Sequence, residues 1–190
     1  WAAARPPAPP SRVTSLGQSL LGDLLEHRLG GAVDTARLVQ VQPADLRIAR
    51  LQGDLELEGS SGDVRARDIQ GSWKSDFSSG DVRLDGFDGE SLELHASSGD
   101  FAIRNVKARK IVTETNSGDA RFLDADVEDF TAEATSGDIE LEDVGNRLAS
   151  ADVSTSSGDV TLRLPRDASF EATARQSSGD MRVGFADGSS

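Results

Sequence analysis

The 190-residue chain contains no cysteine, which excludes disulfide bonds and thiolate metal ligands and says nothing about its compartment. Basic residues are in short supply: 20 Lys and Arg stand against 33 Asp and Glu, a net charge of −13 with a pI near 4.5. A nucleic-acid partner is not expected, because phosphate contact needs concentrated Lys and Arg. Direct adsorption to an anionic lipid surface is disfavoured for the same reason. No apolar run approaches the roughly 20 residues that a bilayer span requires. Signatures of catalysis are lacking too: there is no P-loop, no GxGxxG and no Ser/His/Asp set of credible spacing. The chain opens on Trp1 rather than Met. The expectation is that a signal peptide or anchor has been removed, any membrane contact coming only through that segment.

What the chain has instead is one pattern, repeated. Seven turns read Ser-Gly-Asp, with aspartates at Asp63, Asp81, Asp100, Asp119, Asp138, Asp159 and Asp180. A degenerate first copy, Pro43-Ala44-Asp45, precedes them. From Ala44 onward the steps are 18, 18, 19, 19, 19, 21 and 21 residues. A fixed period near 20 means stacked supersecondary units, each burying its apolar face on its neighbours. Apolar residues alternate on both sides of each turn, as Val82 and Leu84 do after Asp81 and Leu92, Leu94 and Ala96 before Gly99. Two strands per coil are therefore expected, joined by a second corner of variable length such as Gln52-Gly53-Asp54.

Stacked by period, the positions fall into columns. Val64, Val82, Phe101, Ala120, Ile139, Val160 and Met181 form one inward column, and Ala66, Leu84, Ile103, Phe122, Leu141, Leu162 and Val183 the next. Trp73, Leu92, Ile111 and Phe130 align on the opposing strand. The fold class is all-β: a parallel β-solenoid of about seven coils with a thin two-sheet core, coils lying about 4.8 Å apart.

Ahead of the repeats, residues 1–12 contain four of the six prolines and read as an extended spacer. Residues 13–31 carry Leu16, Leu20 and Leu24 beside Leu21, Leu25 and Leu29 at helical spacing. They are expected to form an amphipathic α-helix capping the open end of the solenoid, which occupies residues 33–190. A membrane-surface or partner-binding helix is the alternative for this segment.

The recurrent Ser-Gly-Asp turns, together with the run Thr155-Ser156-Ser157-Gly158-Asp159-Val160-Thr161-Leu162-Arg163-Leu164-Pro165, resemble a bacterial adhesin-type family of unknown function. The resemblance covers roughly residues 33–185. It implies an extracytoplasmic, envelope-associated β-solenoid, either periplasmic or at the cell surface. It carries no catalytic motif to transfer.

Three columns could carry chemistry. The turn aspartates form a file of carboxylates one ladder step apart, which repel unless compensated. The structural reading has each Asp cap N–H groups of its own turn, Ser hydroxyls bond along the ladder, and Gly supply positive φ. Calcium binding is the functional alternative, although calcium β-rolls use a GGxGxD nonapeptide that this chain lacks. A second, outward column stands four residues before each turn glycine: Glu58, Asp76, His95, Glu114, Glu133, Ser154 and Arg175. Within it Asp76, His95 and Glu114 could ligate a divalent transition metal such as copper or zinc, joined by His27 if the helix folds back. An exposed histidine among cross-strand charge neighbours is the plain reading. The third column, Arg65, Arg83, Arg121 and Arg182 with Arg67, Arg104 and Arg163 two positions on, reads as a solvated face offsetting the acidic ladders.

The function expected is a non-enzymatic envelope scaffold, with protein partners or self-association. A metal-binding, redox-active protein comparable to a superoxide dismutase is one alternative. A carbohydrate-binding or carbohydrate-active solenoid is another, although coils of 18–21 residues leave little room for the loop-built cleft of a lyase.

Overall fold

A strand stays straight while its buried residues alternate strictly, and it bends where the alternation slips. In the strand Phe101–Ser117 the buried positions are Phe101, Ile103, Val106, Ala108, Ile111, Thr113 and Thr115. Twice the spacing goes from two to three, and each slip rotates the chain so that the following residues still point inward. The first slip sits at Asn105, whose φ is 52°. Its counterparts are Arg50, Asp68, Gly86, Asp124 and Asp143, all at positive φ. Asp, Asn and Gly tolerate this left-handed conformation best; Arg50 is the exception. One coil therefore has three straight segments, not two strands.

The computed structural model describes residues 35–37, 45–167 and 169–185. They form β1 (Thr35–Arg37), β2 (Leu46–Gln52), β3 (Asp54–Gly59), β4 (Val64–Gln70), β5 (Trp73–Ser79), β6 (Val82–Ser98) and β7 (Phe101–Ser117). Then come β8 (Ala120–Ser136), β9 (Ile139–Val144), β10 (Ser150–Ser157), β11 (Val160–Leu164), β12 (Glu171–Ser178) and β13 (Met181–Phe185). All pairings are parallel, and the sheet order β1-β3-β5-β6-β7-β8-β9-β11-β13 climbs the stack one coil at a time. The parallel β-solenoid is as expected. The helix expected over 13–31, and His27 within it, lie outside the described residues.

Register holds every column in line: Val82 pairs with Phe101 and Phe101 with Ala120, and likewise Leu92, Ile111 and Phe130. The segment missing from the two-strand expectation adds a column of its own, Leu51, Ile69, Phe87, Val106, Ala125 and Val144. All six are buried. Packing at fixed coil spacing demands that bulk be balanced within each coil. The coil of β8 shows this, for Phe122 and Phe130 meet edge to face at 4.9 Å while Ala120, Ala125, Val127, Ala132 and Ala134 fill the remaining inward positions.

Two of the expected inward residues are not covered. Met181 and Val183 lie in the last described coil, and with Phe185 they stand 42 to 56% exposed, because β12 and β13 each have a neighbour on one side only. The core also holds misfits. The hydroxyl of Thr113 is buried and finds no hydrogen-bond partner, an arrangement that costs about 1–3 kcal/mol. Thr113→Val keeps the shape and removes the orphan, so it should raise stability by about 1 kcal/mol, read as a higher urea midpoint at unchanged slope. A loss of stability would mean that the hydroxyl has a partner after all.

Candidate functional site

The turn that closes each coil breaks the backbone ladder, and the aspartate side chain mends it. Seven backbone N–H groups, those of Asp63, Asp81, Asp100, Asp119, Asp138, Asp159 and Asp180, each donate to Oδ1 of the aspartate one coil earlier, at 3.4 to 2.8 Å. The carboxylates thus cap the next turn rather than their own. Their repulsion is relieved by the arginine column: Arg65, Arg83, Arg121 and Arg182 each donate to Oδ2 of the aspartate two residues before, at 2.9 to 3.2 Å. The arginines stay well exposed while they pair with the turn aspartates, so the column is a solvated face that offsets the acidic ladder, as expected. Of the serine hydroxyls expected along the ladder, Ser79 bonds the carbonyl of Ser60 at 3.2 Å.

The two oxygens of one aspartate do different work, and mutation separates them. Asp119→Ala strands the half-buried N–H of Asp138 and should cost about 1–3 kcal/mol. Asp119→Asn keeps Oδ1 as an acceptor and loses the Oδ2 acceptor, and with it the exposed pair with Arg121, which is worth less than about 1 kcal/mol. Urea denaturation compares the two directly. Equal losses would make charge, not N–H capping, the reason for the aspartate.

The outward column on the third segment is in register from end to end: Glu58 with Asp76, Asp76 with His95, His95 with Glu114, Glu114 with Glu133, Glu133 with Ser154 and Ser154 with Arg175. Nδ1 of His95 lies 3.1 Å from Oε2 of Glu114. An ionised carboxylate only accepts, so the contact places a proton on Nδ1 and leaves Nε2 for a second proton or a ligand. Asp76 is the neighbour on the other side, but among the described residues no three His, Asp or Glu side chains come close enough to hold a metal ion. His27 lies outside the described residues.

These residues border an open groove of about 390 Å³. One wall is the column Asp76, His95, Glu114, Glu133 and Ser154; the other is Ser97, Asn116, Thr135 and Ser156, two positions further along each coil. The sequence reading missed this second wall. Its signal was the small polar residue two before each turn glycine, facing outward with the acidic column by simple alternation. The groove thus pairs a row of charge with a row of hydroxyl and amide groups, repeated once per coil.

No curated protein and no solved structure matches the chain. A family model does match over residues 38–189, the span that holds the solenoid and the groove. The chain belongs to the Toastrack DUF4097 family, a solenoid-like β fold of unknown function.

Proposed function

We propose that this chain is a non-enzymatic, adhesin-like scaffold of the cell envelope that holds a protein partner along the groove from Asp76 to Ser154. The observation that carries the reading is the groove itself, built of the same two polar rows across successive coils. Asp76, Glu114 and Glu133 on one wall, in a chain of net charge −13, select a partner with a basic face. The Pro-rich composition of residues 1–12 is that of linkers and supports an extracytoplasmic place.

Two experiments test this. Because the chain has no cysteine, Ser97→Cys introduces a unique thiol. A membrane-impermeant maleimide should label it in intact cells, and labelling only after lysis would refute the location. A photo-crosslinking residue at Asn116 should capture a protein that the same residue at Lys107, on another segment, does not. Glu114→Lys with Glu133→Lys should abolish the capture. Equal capture at both positions, or indifference to charge reversal, would refute the groove.

A second reading, a copper or zinc ion on the same strip, is favoured by the approach of His95 to Glu114. In that case copper binding, followed by its d–d absorption, should be lost in both His95→Ala and Glu114→Gln. Glu58→Gln, three coils from Glu114, should leave it intact. Copper that binds equally well without His95 would end this reading.

A further inference from the structure

The last coil of the solenoid has, among the described residues, no coil stacked after it. Among the described residues the exposed large hydrophobic side chains are Met181, Val183 and Phe185, and all three lie on β13, whose sole strand partner is β11. Beside it β12 pairs only with β10. An apolar face bordered by unpaired strand edges is a surface that proteins keep covered, by a helix among other devices.

The same chain carries a segment with apolar surface to spare. On a helix of 3.6 residues per turn, the file Leu16, Leu20, Leu24 and the file Leu21, Leu25, Leu29 would lie about 140° apart. One apolar stripe suffices to seat a helix on its own domain. Two files so far apart suit contact on two sides.

Reach decides whose end the second file covers. β1 stands at the first coil, and eight inter-strand steps separate it from β13, about 38 Å at ~4.8 Å per step. Leu29 is six residues from Thr35, where β1 begins, and six residues span at most about 22 Å. On a helix the eight residues from Leu29 back to Leu21 add about 12 Å, so the file Leu21, Leu25 and Leu29 stays short of the far end of its own molecule. It can cover the far end of another.

We propose that residues 16–29 of one copy dock on the open end formed by Met181, Val183 and Phe185 of a second copy, joining solenoids head to tail. The contact is heterologous, since the two surfaces differ, so it does not close on two copies but continues into an open chain. It is separate from the groove and stands whether or not the groove binds a partner.

Sedimentation velocity on the 190-residue chain tests it. The wild-type protein should show a concentration-dependent series of dimers and longer assemblies. Val183→Asp, at a position already 52% exposed, should sediment as a monomer with an unchanged melting temperature. A variant with Leu20, Leu21, Leu24 and Leu25 all changed to Ser should also lose the series. The two variants mixed should form a dimer and nothing longer, because each supplies the surface the other lacks. A monomeric wild type would overturn the proposal, as would assembly that survives Val183→Asp. So would a leucine variant that still dimerises, which would mean that the open ends meet each other tail to tail.

Discussion

Gly118→Ala should destabilise the protein by about 2–6 kcal/mol, although it adds a single methyl group. Two independent costs combine. Gly118 has φ of +132°, a conformation that an L side chain enters only with strain of about 1–3 kcal/mol. A Cβ there would also stand 2.1 Å from the carbonyl oxygen and 2.7 Å from the carbonyl carbon of Gly99. Those atoms are backbone of the neighbouring coil, so no rotamer change can relieve the clash. Overpacking of this kind adds about 1–3 kcal/mol. The control is Gly184, where a Cβ would meet nothing within 4 Å, and Gly184→Ala should leave the urea midpoint unchanged. If the two variants unfolded alike, the turns would not be stacked as closely as described.

Phe130→Ala should cost about 3–5 kcal/mol. The ring is 1% exposed, sits in register between Ile111 and Ala151, and packs edge to face on Phe122 with planes at 85°. Neighbouring coils are held at ladder spacing by their backbone hydrogen bonds, so they cannot collapse into the void. A double-mutant cycle with Phe122→Leu and Phe130→Leu should show coupling of about 0.5–1.5 kcal/mol, the usual worth of such a pair. Phe130→Ala losing under about 1 kcal/mol would mean that the coil can close around the cavity.

The parts legible in advance were those tied to a constant offset from the turn glycine. The columns from Val64 to Val160 and from Ala66 to Leu162 are buried as expected, because parallel pairing in register carries one offset through every coil. The acidic strip from Glu58 to Arg175 was placed correctly for the same reason. The middle segment was not legible, because the slip that creates it falls on Arg, Asp, Gly, Asn, Asp and Asp in successive coils. They share a left-handed φ and no residue type. Its column varies as widely, from Ala125 to Phe87. The direction of the aspartate caps was hidden too, since a side chain that bonds its own turn and one that bonds the next leave the same letters. Met181 and Val183 follow the inward pattern and are exposed because, among the described residues, no coil follows β13, which alternation alone does not report.

The aspartate ladder has a consequence for how such a molecule changes size. Each turn is answered by the coil before it and answers the coil after it, and nothing in the arrangement counts how many coils there are. Excision of residues 100–118 would bring the N–H of Asp119 to the Oδ1 that Asp100 now occupies, on Asp81. Duplication of the same stretch would insert one more identical link. Length is thus a quantity that a gene can alter in whole units by copying, while the steps of 18, 19 and 21 residues show where the copies have since drifted: at the corners, where an extra residue disturbs no neighbour's register.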